Sequence, residues 1–253
     1  MRKLMIASLA GLFLAGSAGL AAAAEGAHPE KRDWPQDGIF GSFDRAALQR
    51  GFQVFKEVCS NCHSVKYLRF RDLAGIGLDE ETIKALASEY TVIDGPNDDG
   101  EMYERSAKPF DAFPPPFPNP QAARAANGGA LPPDLSLIVK AREQGADYIY
   151  ALLTGYGEPP EGEQGLPGAF YNRYFPGGWI AMPPPLSDDL VEYPDGTPAT
   201  AEQMASDVTQ FLSWLAEPEL EERKALGLKF MLFVLVMTGI FYAYKRKVWS
   251  RLH

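Results

Sequence analysis

Cys59 and Cys62 are the only cysteines in 253 residues, and His63, which follows directly, is one of three histidines. The stretch reads Val58-Cys59-Ser60-Asn61-Cys62-His63-Ser64. On helical spacing the two thiols and the imidazole stand at i, i+3 and i+4, on one face of a turn. C-x-x-C-H is the spacing of covalent haem attachment. Each thiol adds to one vinyl group of the porphyrin, and the adjoining histidine projects at the iron from the same side. Other uses of these residues fit less well. A structural zinc site takes four ligands, and His28 and His253 lie at opposite ends of the chain. A C-x-x-C oxidoreductase would carry Gly-Pro between its cysteines, where Ser60-Asn61 stands. A plain structural disulfide is disfavoured by the tight spacing.

The sixth iron ligand decides between electron transfer and catalysis, because two strong protein ligands leave no open position and a methionine raises the potential. Of seven methionines, Met1 and Met5 sit in the apolar start of the chain, and Met231 and Met237 in an apolar run near its end. Met204 falls on the inward stripe of an amphipathic helix, where packing is its expected job. Met102 lies in an acidic loop, Asp98 to Glu104. Met182 follows Gly177-Gly178-Trp179-Ile180-Ala181 and precedes Pro183-Pro184-Pro185. That stiffness suits a ligand carried on a loop, although gap-filling is an alternative use. His28 is a poor candidate, since it lies in a polar N-terminal stretch expected to be mobile.

These side chains need elements to position them. A helix is expected from about Asp44 to Val58, capped by Ser42, with Asp44 in its first turn. Leu48, Phe52 and Phe55 form one stripe leading into Cys59. Further helices are expected over Asp79–Glu89 with Ile83, Leu86 and Ala87 inward, from Pro133-Asp134-Leu135 to about Glu143, and from near Ala146 through Tyr148 to Leu153. Thr200–Ala216 is strongly amphipathic, with Met204, Val208, Phe211, Leu212 and Leu215 on one side. Residues 91–133 and 155–185 read as loops dense in Gly and Pro. No strand pattern appears. The fold class expected is mainly α, one domain with long loops plus one C-terminal transmembrane helix.

The chain opens Met1-Arg2-Lys3, runs apolar to about Leu20 and ends that stretch in Ala21-Ala22-Ala23-Ala24. This is the pattern of a secretory signal peptide, residues 1–24, cleaved after Ala24. Ala225–Tyr244 gives twenty apolar residues with one charge, Lys229, near the start, and about twenty span a bilayer. Lys245, Arg246, Lys247 and Arg251 follow, and basic residues stay on the cytoplasmic side. Residues 25–224 then form an exported domain and 245–253 a cytoplasmic tail. Residues 25–228 hold 17 basic against 33 acidic side chains, a net of −16. So acidic a domain repels nucleic acid and would attract basic partners, solubility alone being the alternative use of the charge.

"LQRGFQVFKEVCSNCHS" resembles the opening of class I cytochromes c, in which a Gly/aromatic pair, here near Gly51 and Phe52, crosses the last helix. "FPNPQAARAANGGALPPDLSLIVKAREQGADYIYALLTGY", "YFPGGWIAMPPPL" and "YPDGTPATAEQMASDVTQFLSWLAEPELEERKALG" are closely similar to cytochrome c1, the haem subunit of the quinol-oxidising cytochrome bc1 complex. The resemblance covers nearly the whole chain after the signal. It implies a class I cytochrome c-like domain with one covalent haem c on Cys59 and Cys62, and His63 and Met182 as iron ligands. It implies that Arg142 and Tyr148 approach the propionates, and that the segment of Pro132 and Pro133 lies on the histidine side, where a carbonyl orients the His63 ring. The implied partners are cytochrome b, a Rieske iron–sulfur protein as donor and a soluble basic cytochrome c as acceptor, at the periplasmic face of a bacterial inner membrane. Some bacterial members brace the methionine loop with a disulfide, for which this chain has no cysteines. The subunit itself is expected to transfer electrons without bond chemistry. Two rival functions are a free-standing anchored cytochrome serving a terminal oxidase or reductase, and a haem peroxidase. The peroxidase needs an open iron and a distal acid/base, and its di-haem form a second C-x-x-C-H.

Overall fold

The computed structural model describes residues 26–165 and 167–251. The expected signal, 1–24, lies outside them. Helix α1, Arg45–Glu57, starts where the Asp44 carboxylate accepts the backbone N–H groups of Ala46 and Ala47 at 3.0 and 3.3 Å. Asp44 is thus the cap expected of Ser42. It brings a full negative charge to the positive end of the helix dipole, which a hydroxyl does not. Leu48, Phe52 and Phe55 are buried, as their spacing requires. A 3-10 turn, Cys59–Asn61, follows, and then a 3-10 helix, Phe70–Ile76.

Helix α2, Glu80–Ser88, is capped by Asp79, which accepts from the Thr82 N–H at 2.9 Å, and it buries Ile83, Leu86 and Ala87. The loop expected over 91–133 contains more order than its composition shows. Strands β1 (Thr91–Asp94) and β2 (Tyr103–Ser106) pair antiparallel. They are short and mostly exposed, so no alternation marks them. Arg105 holds the hairpin by pairing with Asp94 and, at 2.6 Å, with Asp111. Helix α3, Pro120–Ala126, is capped by Asn119 and carries Pro120 in its first turn, where proline has no bond to lose.

The helix expected from Pro133 to Glu143 is instead a run of turns. Asp134 does not cap it. Its carboxylate accepts from Ser64 Oγ at 2.8 Å and from the N–H groups of Lys66 and Ser136 at 2.9 and 3.1 Å. Helix α4, Gly145–Thr154, comes next. The N-terminal stretch, expected to be mobile, is strapped across it. The Asp147 carboxylate accepts from Arg32 N and from Trp34 Nε1 at 3.1 and 2.7 Å, and Ala27 N donates to Arg173 O at 2.8 Å. Two residues each of β3 (Phe170–Tyr171) and β4 (Trp179–Ile180) form a second antiparallel pair inside the irregular 155–185 segment.

Helix α5, Ala201–Ala216, capped by Thr200, buries its whole predicted stripe. It crosses α1 at Gly51, where an added Cβ would stand 2.1 Å from the Asp207 carbonyl oxygen. Phe211 packs on Phe52 and Phe55 with ring centroids 5.5 and 5.8 Å apart. Beside the crossing, the fully buried Asp207 pairs with Arg50 at 2.9 and 3.1 Å and accepts from Gln203, while Arg50 also reaches Asp195 at 2.8 Å. A carboxylate this deep requires such partners. Helix α6, Leu220–Trp249, is 30 residues long, unburied, and long and apolar enough to cross a membrane. It is longer than the apolar run because the charged residues on both flanks continue the same helix. The architecture is mainly helical with long loops, as the sequence implies.

Candidate cofactor site

Helix α1 ends in side chains that suit an ending. Ser60 Oγ donates to Lys56 O at 2.7 Å, and Asn61 Nδ2 donates to Glu57 O and Val58 O at 3.0 and 3.1 Å, filling carbonyls the helix leaves open. The chain then tightens, with Cys62 N and His63 N both donating to Cys59 O at 3.1 and 2.9 Å. Both cysteines are unpaired thiols, Cys59 half-buried and Cys62 exposed. Burial, reinforced by Cys62, pushes the Cys59 thiol up to about 12. Redox-active cysteines have depressed values, and Cys59 departs in the opposite direction.

His63 Nδ1 lies 2.8 Å from the Pro133 carbonyl. A carbonyl only accepts, so the proton sits on Nδ1 and Nε2 keeps a free lone pair. Burial lowers the His63 pKa against the opposing pull of Pro133 and Asp134, favouring the neutral ring. Pro133 is held in turn. Asp134 ties the 133–136 segment to Ser64 and Lys66, Leu135 N donates to Ser64 O at 2.8 Å, and Tyr67 N donates to Ser136 Oγ at 3.1 Å.

Met182 is half-buried just past β4. Its carbonyl accepts from the Tyr156 hydroxyl at 3.1 Å. Tyr156 follows α4 and bridges to Asn172, a fully buried side chain that donates to Leu152 O at 2.7 Å and accepts from Tyr174 N at 3.1 Å. The methionine loop therefore hangs from the end of α4. Tyr148 is buried on α4. Burial raises its pKa, and the nearby exposed Arg142 pulls the other way. Burial, then Tyr148, raises the Tyr156 hydroxyl. Arg142, Tyr148, Tyr156 and Met182 thus form one neighbourhood, and Cys59, Cys62, His63 and Pro133 another. Helix α4, which carries Tyr148, and α1, which leads into Cys59, both pack on α5. Met204 is buried in α5 and Met102 exposed in the β1–β2 turn.

Tyr156, Asn172 and Asp134 were not singled out by their residue types. The usable signal at Tyr156 was an aromatic hydroxyl opening a loop, a group that seeks a partner when buried.

Known proteins resemble this chain across most of its length. The model of the cytochrome C1 family matches residues 34–252. A relative named "Cytochrome c1 1, heme protein, mitochondrial" from Arabidopsis thaliana is 54% identical over 218 residues, covering 86% of this chain and 71% of its own. "Cytochrome c1" from Rhodospirillum rubrum is 50% identical over 256 residues, covering 95% and 94%. "Cytochrome b/c1" from Bradyrhizobium diazoefficiens is 49% identical over 267 residues, covering 96% and 39%. With a match that runs from the buried Trp34 through the Cys59–His63 turn and the long apolar helix, the chain belongs to the cytochrome c1 family.

Proposed function

We propose that this chain is the haem-bearing subunit of a quinol-oxidising bc1 complex, taking electrons from a Rieske iron–sulfur protein and passing them to a soluble cytochrome c. The observation that carries the reading is the His63–Pro133 contact, which leaves Nε2 free on a turn with two unpaired thiols, one adjacent in the chain and one four residues back. These residues fit one covalent haem c. Cys59 and Cys62 would hold the ring by thioethers, His63 and Met182 would ligate the iron, and Arg142 and Tyr148 would face the propionates. The haem supplies one-electron storage. The protein's part is orientation: Pro133 fixes the imidazole tautomer, as a hydrogen-bond partner beyond the ligands commonly does, and Tyr156 holds the backbone that carries Met182.

Two protein ligands leave no position for substrate, which favours electron transfer over catalysis. Export by residues 1–24 would place domain 25–224 on the periplasmic side of a bacterial inner membrane, with 225–244 spanning it once, 245–253 inside and cytochrome b alongside. The net charge of −16 over 25–228 would draw a basic acceptor. Gentle detergent extraction of the native membranes, followed by quinol addition, tests the reading. Cytochrome b and a Rieske protein should co-purify, and quinol should reduce the haem. A chain that arrives alone under repeated mild extraction, with haem that quinol does not reduce, overturns it. Met182→Leu should keep the haem attached and lower its potential strongly, and an unchanged redox titration removes Met182 from the ligand set.

A further inference from the structure

The loop before α1 carries an apolar tip that the site does not use. Ile39 and Phe40 are 72% and 84% exposed, side by side. Single exposed apolar residues are ordinary, but this pair is held out by a closed frame. Ser42 N donates to Pro35 O at 3.0 Å and Asp37 N to Trp34 O at 2.9 Å, while Trp34, Gln36 and Phe43 on either side are buried. Gly38 takes φ +70°, and a Cβ on Gly41 would meet Asp37 O at 1.9 Å, so glycine is needed for the turn to close.

This frame is bolted to the head of α6. Lys224 Nζ donates to the carbonyls of Gln36 and Gly41, the two ends of the tip, at 2.6 and 3.0 Å. Three residues earlier in α6, Glu221 accepts from Phe43 N at 2.7 Å and pairs with Arg45 at 2.6 Å. The order matters. Going from Arg45 and Phe43 back to Gly41, the loop moves from the level of residue 221 to that of residue 224. The backbone positions of those two residues stand about 4.5 Å apart along the helix axis at 1.5 Å per residue. The step leads toward Leu226, Leu228 and Phe230, the first exposed apolar side chains of the run that begins at Ala225. Ile39 and Phe40 lie between Gln36 and Gly41, the two residues that Lys224 holds.

We infer that Ile39 and Phe40 insert into the outer lipid interface beside α6, a second contact with the bilayer that fixes the tilt of the haem domain over its anchor. The inference rests on the reading of α6 as a membrane span. The occupant is lipid because both ends of the tip are tied through backbone carbonyls to Lys224, which directly precedes the apolar run of α6. Side chains a few ångströms into the headgroup and acyl boundary are enough for such a contact.

The test places p-benzoylphenylalanine at Phe40 or Ile39 of the full chain, in its native membranes with its complex intact, and identifies photoadducts by mass spectrometry. Both positions are exposed, so folding is not at stake. Leu232 in α6 and Ile93 on the β1–β2 hairpin, both exposed apolar residues, serve as controls. Lipid adducts at positions 39 and 40 should match the yield at 232 and far exceed that at 93. Adducts to another polypeptide, or lipid yields no higher than at 93, overturn the inference while leaving the span intact. An absence of lipid adducts at 232 overturns the span and the inference together.

Discussion

Gly51→Ala sets two effects against each other at the crossing of α1 and α5. Alanine is favoured over glycine in a helix interior by about 1 kcal/mol, so the isolated helix should gain. In the fold, the new Cβ would stand 2.1 Å from the Asp207 carbonyl oxygen, 2.6 Å from its carbon and 2.8 Å from Phe211 Cβ. Ordinary contact begins at 3.4 Å, so the shortfall at the carbonyl is about 1.3 Å. None of these atoms sits at the end of a flexible side chain, so rotamer changes give no relief and the helices must part. Overpacking a core costs about 1–3 kcal/mol, and a backbone clash belongs at or above the top of that range. A net loss of about 2 kcal/mol would lower the Tm by about 4–8 °C in a domain of this size. The assay is a thermal scan of the detergent-solubilised holoprotein at fixed rate, by far-UV circular dichroism. The difference between Gln49→Ala and Gln49→Gly, at an exposed position inside α1, calibrates propensity. A Gly51→Ala protein as stable as the parent, or more so, refutes the close approach as the reason for glycine.

Tyr156→Phe removes the donor to the Met182 carbonyl, worth about 1 kcal/mol. Haem should stay attached, while external imidazole competes for the methionine position about fivefold more effectively in a spectroscopic titration; an unchanged titration denies Tyr156 its positioning role. Asp134→Asn leaves one backbone N–H of Lys66 or Ser136 without an acceptor, whichever way the amide turns, and should destabilise the domain by about 1–3 kcal/mol near pH 7. The acid limb should change too. Burial raises the Asp134 pKa, but the hydrogen bonds from Lys66, Ser136 and Ser64 outweigh it and hold the carboxyl below its ordinary value. Its contribution is therefore present above the unfolded pKa of about 3.9 and lost as pH falls through the lower folded value. Denaturant midpoints followed below about pH 4 should fall more shallowly in Asp134→Asn than in the parent, and equal slopes would count against this role.

Some of this protein was legible in the chain alone. The turn of Cys59, Cys62 and His63 is a matter of spacing within five residues. The buried faces of α1 and α5 follow from helical period, and α6 from a run of apolar residues long enough to cross a bilayer. Such features depend on neighbours along the chain. Other features turned on choices among equivalent local partners. Asp44 rather than Ser42 caps α1, and Asp134, which would serve to open a helix, spends its oxygens on residues 68 and 70 positions away. Asp207, a polar residue on a helix face, is buried because Arg50 arrives from α1 to meet it. The Pro133 carbonyl against His63, the Tyr156 hydroxyl against Met182 and the strap of residues 26–36 across α4 likewise exist only once the helices have packed. A helix satisfies its own backbone within four residues, so sequence can announce it. A buried carboxylate, carbonyl or hydroxyl takes whichever donor or acceptor the tertiary fold brings within about 3 Å, and only the folded chain decides which that is.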